Sequence, residues 1–353
     1  MFPILIFALV LAAAEMLPAQ TRNLEMYWID VEGGAATLYV SPSGESMLVD
    51  TGYATEDRDA KRIFEAAKHA GLTRIDSVVI SHFHGDHVGG LAALAKMIPI
   101  GRYFDHGDTV DPPDRERFEN YKVVSAGKRT IVKPGDLIPF GGAQALVVTS
   151  DTKVLPRPVN GGGPNPLCAN AERKASAGGE NQRGVGVLLT YGRFTFLNLI
   201  DLDWERDMAL ACPDNLLGKV TIYQTSRHGG FDGAGAPAFL GAIQPQVVIV
   251  NNGPRKGLGA VDERVRSLTP GAAPYERVAY LRLAKLPGIQ DIWQGHRSLL
   301  DPDPNHNTSP DMIANLGETA GCEGHWIKAS AAADGKFTVT NGRNGFSKTY
   351  TAR

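Results

Sequence analysis

Residues Ile75–Gly90 read IDSVVISHFHGDHVGG, and the rest of the chain is organised around this stretch. Ile75 to Ile80 is short, apolar and rich in β-branched residues, the composition of a buried strand. At its end four side chains able to bind a metal, His82, His84, Asp86 and His87, fall within six positions. If the strand persists that far, His82 and His84 lie on one face and two imidazoles can share one cation. Gly85 lets the backbone turn and aim Asp86 and His87 beside them. Gly89 and Gly90 permit close approach ahead of a helix that begins near Leu91. Ligand-rich spacing at the end of a buried strand is the usual setting of a metal site.

His82-Phe83-His84-Gly85-Asp86-His87 resembles the HxHxDH signature of the metallo-β-lactamase fold superfamily. The likeness continues upstream. DVEGGAATLYV (Asp30–Val40) followed by MLVDTG (Met47–Gly52) is similar to the opening hairpins of that superfamily, in the version carried by bacterial DNA-uptake channel (ComEC-type) proteins. Glu32-Gly33-Gly34-Ala35 stands where those proteins read GQGDA. Downstream, the apolar run from Phe194 to Ile200 leads into Asp201, at the place of a family aspartate that usually follows a glycine; here Ile200 replaces that glycine. Ser226-Arg227-His228-Gly229-Gly230 resembles the HHGS element, with Arg227 in place of its first histidine.

The resemblance implies an α/β fold, the four-layer αββα sandwich, with Asp50 bracing the metal loop. It implies two divalent cations, zinc first, with manganese or iron also compatible with a histidine and carboxylate donor set. One would take His82 and His84, the other Asp86, His87 and His228, with Asp201 between them. Hydrolysis would proceed through a metal-bound hydroxide, with Asp86 as the catalytic residue that orients it and carries its proton. Arg227 would hold an anionic substrate. One departure stands out: most hydrolases of the superfamily supply a third histidine to the first cation from a turn between the two halves. At that place, after Ala145–Thr149, this chain has Ser150-Asp151, and no histidine occurs between His106 and His228. The DNA-uptake proteins lack it too. Asp151 and Asn181 are the candidates to complete that sphere, and His106 is a candidate extra ligand or proton shuttle.

With 353 residues, the chain can bury a full core, and 36 Lys+Arg against 38 Asp+Glu argue against a general polyanion binder. Arg227, Arg255 and Lys256 can still form a local basic rim. The apolar run Phe2–Ala14 followed by LPAQTR reads as a secretory signal peptide over residues 1–20, although no Lys or Arg precedes the run. The expectation is therefore an exported, periplasmic or extracellular protein with no membrane span after cleavage. Cys168, Cys212 and Cys322 sit in no ligand-like spacing; in an exported protein two can pair, and which two is open. Residues 21–353 read as a single domain. A glycine- and proline-rich loop at about 150–183 would wall the pocket, and hairpin signals at about 325–353 suggest a small β addition. Amphipathic patterns mark helices at residues 59–70, 91–98, 115–125, 238–242, 261–268 and 275–284.

The functional expectation is an exported metal-dependent hydrolase acting on a phosphodiester, in the manner of a nuclease or phosphodiesterase. The near-neutral charge weighs against avid, sequence-independent nucleic-acid binding, so the partner is a small-molecule or phosphodiester substrate. A β-lactam or lactone hydrolase is the second reading. A non-catalytic binding protein on the same fold is the third, motivated by Arg227 and the absent histidine.

Overall fold

Three separate apolar cores set the layering. The computed structural model describes residues 22–109, 111–176, 178–230, 233–258, 279–300, 303–318 and 321–353. The expected signal peptide and the helix at 261–268 lie outside the described residues, as does the start of the helix expected at 275–284. The first sheet begins with β1 (Leu24–Trp28), β2 (Thr37–Val40), β3 (Ser46–Val49), β4 (Ile75–Val79), β5 (Ile100–Asp105) and β6 (Arg129–Ile131). The chain then builds the second sheet from β7 (Leu137–Ile138), β8 (Gln144–Ser150), β9 (Lys153–Val154), β11 (Gly186–Tyr191), β12 (Phe194–Asn198), β14 (Ile222–Gln224), β15 (Val247–Val250), β16 (Asp291–His296) and β17 (Ile313–Asn315), while β10 (Gly163–Pro164) and β13 (Asp214–Asn215) pair apart. Finally β18 (Ile327–Ala331), β19 (Lys336–Asn341) and β20 (Ser347–Thr351) return to the first sheet.

The period-2 alternation of β1 shows how the layers arise: Leu24, Met26 and Trp28 enter the core between the sheets, and Tyr27 enters the core on the other face. That outer face is covered by α1 (Arg58–His69), α2 (Gly85–Val88), α3 (Leu91–Met97) and α4 (Arg115–Val124). On α1, Ala60, Ile63, Ala66 and Ala67 form the buried stripe, so this helix is held by its apolar face. The second sheet is covered in the same way by α5 (Trp204–Ala211), α6 (Pro237–Ile243) and α7 (Ala279–Ala284). The result is helix, sheet, sheet, helix. Among the described residues no helix is long and apolar enough to cross a membrane.

Polar side chains also link the two sheets. Gln224 Oε1 accepts from Trp28 Nε1 at 2.9 Å and Thr37 Oγ1 at 3.0 Å. At the sheet ends His296 Nε2 meets Asp30 Oδ1 at 2.6 Å, and Arg62 holds Asp30 Oδ2 at 2.9 Å. Two expectations change form. The C-terminal hairpin is part of the first sheet, since β18 pairs antiparallel with β1, Leu24 opposite Ala331 and Trp28 opposite Ile327. The stretch at 150–183 is tied down: β9 pairs with β8, β10 pairs with β13, and Cys168 is bridged to Cys212 at the end of α5. Cys322 is the free thiol.

The bridge closes a loop with a sequence separation of 44. Loop-closure entropy puts its stabilisation at about 2–4 kcal/mol. A Cys168→Ser/Cys212→Ser protein is expected to lose that amount in urea unfolding, and an unchanged midpoint would show that the insertion is held without it.

Candidate metal centre

The site lies where strands of both sheets end. β4 stops at Val79, so His82 and His84 lie in a loop and not on a continuing strand face. The cause is Asp50, whose Oδ1 and Oδ2 accept from Ser81 N at 2.8 Å and Ser81 Oγ at 2.7 Å. This capture bends the chain out of the ladder and into the single turn of α2. Asp50 Oδ2 also accepts from His87 Nδ1 at 2.8 Å, which leaves His87 Nε2 turned inward. Asp50 is fully buried, and burial raises its carboxyl despite the His87 and Ser81 contacts.

Asp201 arrives from the second sheet. Asn198 Oδ1 accepts from Ile200 N at 3.1 Å, ending β12 two residues earlier than the apolar run suggests, and Ile200 adopts φ 55. That is the conformation a glycine would take freely, here held by a β-branched residue buried in the inter-sheet core. His228 follows β14 with φ 55, and its neighbour Arg227 has φ 51. Asn251, just past β15, brings its amide to 3.2 Å from His228 Nδ1. That contact, through Asn251 Nδ2, fixes the ring with Nε2 toward Asp86 and Asp201.

Asp86, His87, Asp201 and His228 thus converge, with one donor atom from each lying within 4.8 Å of the others. His87 Nε2 is 3.4 Å from Asp86 Oδ2 and 3.6 Å from Asp201 Oδ2; His228 Nε2 is 3.4 Å from Asp86 Oδ2 and 3.4 Å from Asp201 Oδ1. His87 Nε2, His228 Nε2 and Asp201 Oδ1 are buried and have no hydrogen-bond partner. Three orphaned polar atoms facing one point, two of them imidazole nitrogens, fit a divalent cation.

His82 and His84 form a separate pair. His82 Nε2 lies 2.9 Å from His84 Nδ1. A tetrahedral zinc holding both would set them roughly 3.3 Å apart, so the pair is near chelating geometry. Burial and the neighbouring His87 pull the His82 pKa well down, keeping it a neutral donor. His84 Nε2 faces Asp114 Oδ2 at 3.6 Å. The two residues held in reserve for this sphere are not both available. Asp151 is taken by Arg183, at 2.9 Å from Nε and 2.5 Å from Nη2, and its side chain is 41 % exposed. Asn181 lies half-buried in the 180–183 turn, and its Oδ1 is buried without a hydrogen-bond partner. His106 Nε2 is bound to Glu180 at 3.0 Å, and its ring packs on Phe83. Glu180 accepts from Phe83 N at 3.1 Å as well, so the insertion buttresses the metal loop from beneath. Arg227 is half-buried and lies along Gly233.

A cation not expected in this position completes the site. Lys256 Nζ contacts Asp86 Oδ2 directly and lies 3.1 Å from Tyr53 Oη. Burial opposes the charge on Asp86, but His87, His228 and Lys256 outweigh it and hold the carboxyl far below its usual range. Asp201 is held well down in the same manner by His228 and His87. Burial would lower His87, yet Asp86, Asp201 and Asp50 raise it well above an ordinary imidazole.

Residues 29–173 match the family model described as Metallo-beta-lactamase superfamily. That match covers 145 of the 353 residues, so this stretch is similar to the domain of that superfamily. Asp86 and His87 fall inside the matched stretch of that domain, and Asp201 and His228 lie beyond it. A UPF0173 metal-dependent hydrolase of Anaeromyxobacter sp. (strain K) is 26 % identical over 260 residues, 72 % of this chain and 84 % of that protein. The hydroxyacylglutathione hydrolase of Xanthomonas euvesicatoria pv. vesicatoria (strain 85-10) is 33 % identical over 99 residues, 27 % of this chain and 36 % of that protein. Ribonuclease Z of Methanopyrus kandleri is 30 % identical over 119 residues, 32 % of this chain and 39 % of that protein. The chain thus spans little more than a third of these last two relatives.

Two outcomes follow for this centre. Without a cation the Asp86, Asp201 and Asp50 carboxylates favour a proton on His87, and a cation at Nε2 must displace it. Zinc affinity should therefore fall as pH drops, with about one proton released per zinc near neutral pH; calorimetry in buffers of different ionisation enthalpy reads this, and zero release would remove His87 from the ligand set. Ile200→Gly relieves left-handed strain of about 1–2 kcal/mol but forfeits a buried side chain worth about 2–5 kcal/mol. The net loss in denaturant unfolding should be about 1–3 kcal/mol, and a gain in stability would show that strain dominates.

Proposed function

We propose that this protein is a metal-dependent hydrolase whose substrate is a phosphodiester. The observation that carries the proposal is the convergence of Asp86, His87, Asp201 and His228 with three orphaned, buried donor atoms. The cation-binding set would be these four together with the His82–His84 pair. A divalent cation held there supplies Lewis acidity: it acidifies water near neutral pH and stabilises charge developing on substrate oxygens. Asp86, at the mouth of the group, orients the attacking water and takes its proton. Asp50 and Asn251 fix the two ring orientations, and Lys256 supplies positive charge at the rim. Arg227 remains the proposed contact for an anionic group on the substrate.

The phosphodiester preference is supported by the likeness to the DNA-uptake proteins and by the match to a ribonuclease Z. The match to a hydroxyacylglutathione hydrolase favours a second reading, attack on an acyl carbon, which includes the lactone and β-lactam chemistry considered above. Export to the periplasm or beyond is part of the proposal, because the Cys168–Cys212 bridge persists in an oxidising compartment.

Zinc- or manganese-loaded protein is expected to hydrolyse bis(p-nitrophenyl) phosphate, with Asp201→Ala about a hundredfold or more slower. Turnover of a thioester or chromogenic β-lactam without the phosphodiester would replace the substrate class. Turnover of none, with metal bound, would favour a binding protein.

A further inference from the structure

A cavity lies against the metal loop on the outer side of the first sheet. Its volume is about 530 Å³, within the roughly 300–1,000 Å³ of small-molecule sites. The walls come from the loop after β3 and from α2, α3 and α4, with Val88, Leu91, Ala92 and Val124 giving an apolar lining. Tyr121 presents its ring, since its hydroxyl is turned to Asp105 Oδ2 at 2.7 Å. No carboxylate occurs among the described lining residues, and Arg117 is the one ionised side chain there. Its Nη1 is engaged by Asp114 Oδ1 at 2.5 Å and by the Pro113 carbonyl at 3.0 Å. The lining therefore offers no uncompensated charge. A charged group would leave water for walls unable to pair with it, whereas an apolar group gains by the transfer.

The cavity and the metal centre share one turn of helix. On α2, Asp86 and His87 carry donor atoms of the centre, while Gly85 and Val88, with Gly89 at the end, line the cavity. Gly85 keeps that partition low. A Cβ there would lie 3.0 Å from Arg117 Nε, so the guanidinium passes over bare backbone. Lining side chains also reach both flanks of the centre. Tyr53 Oη lies 3.1 Å from Lys256 Nζ, which contacts Asp86 Oδ2. Arg117 holds Asp114, whose Oδ2 is 3.6 Å from His84 Nε2. A substrate whose reacting group sits among the donor atoms thus has an apolar recess one helical turn away.

We propose that this cavity is the subsite for an uncharged alkyl or aryl group of the substrate, so that the preferred phosphodiester carries an apolar substituent beside its single charge. The inference rests on the phosphodiester reading above for its reaction, and on the cavity alone for its choice of substituent.

The test is the chain-length dependence of kcat/KM for p-nitrophenyl alkyl phosphates, from methyl to hexyl, on metal-loaded protein. Burial of each methylene should raise it about two- to fourfold, giving a hexyl-to-methyl ratio of roughly thirtyfold or more. Ala92→Trp, which places an indole at the exposed rim of α3, should bring that ratio below about threefold. Asn120→Trp, on α4, should do the same and replaces Ala92→Trp if that protein does not fold by circular dichroism. Taking the ratio within each protein cancels any general loss of activity. A wild-type ratio near one, or a ratio unchanged in the folded variants, overturns the subsite. Turnover of p-nitrophenyl alkanoates alone would overturn the phosphodiester reading, and the same ratio measured on that series then decides the subsite. With neither series turned over, calorimetry compares hexylphosphonate with methylphosphonate. Tighter binding of the hexyl compound, lost in Ala92→Trp, supports the subsite; equal binding of the two overturns it.

Discussion

A carboxylate with no solvent contact is costly unless hydrogen-bond donors compensate it, and Asp50 has three of them at the end of the first sheet's third strand. Its donors are Ser81 N, Ser81 Oγ and His87 Nδ1, all from the metal loop. Its own N–H bonds the Val79 carbonyl, and Thr51 N and Oγ1 bond the His87 carbonyl. The end of β3 and the whole turn after β4 are therefore one hydrogen-bonded unit. Moving Asp50 would free the loop and bury an unpaired charge together, which is why the direction of His87 follows from residues far upstream of it.

The other ligands are aimed by backbone that the chain would not choose freely. Asp50, Ile200, Arg227 and His228 all have positive φ without being glycine, at 63°, 55°, 51° and 55°. Each such residue costs on the order of 1–2 kcal/mol, and they gather around one small volume. Ile200 shows how the cost is carried. Its side chain packs between the sheets while its backbone turns Asp201 toward the centre, so a core residue offsets strain that serves the site.

Much of this arrangement was legible in the sequence. The metal loop, the strand-end position of Asp201 and the histidine after β14 are local patterns, each readable from a strand followed by a ligand-bearing turn. Misreadings arose where local pattern met distant packing. His82 and His84 looked like neighbours on a strand, but a carboxylate from thirty-odd positions upstream ends that strand first. Asp151 stood at the right place in the chain, yet Arg183 reaches it across the insertion. Lys256 and Asn251 had no motif to announce them, because their roles depend on β15 lying beside β14 and on the backbone at Gly33, where a Cβ would lie 3.0 Å from Lys256 Cβ. The paired glycines at Gly33-Gly34 were the visible trace of that approach, and without a partner in view they read only as a turn.

The Cys168–Cys212 bridge has a consequence for how the molecule would come apart. It spans the junction between the insertion and α5, and the segment carrying Glu172 and Arg173 inside it is exposed. A protease that cuts after Arg173 therefore opens the backbone without separating the pieces. The amino-terminal part, with Asp86 and His87, and the carboxy-terminal part, with Asp201 and His228, remain joined through sulfur. On a gel such a nicked chain would run as one species until a thiol reductant released two, so intactness under oxidising conditions says little about whether the backbone has been cut.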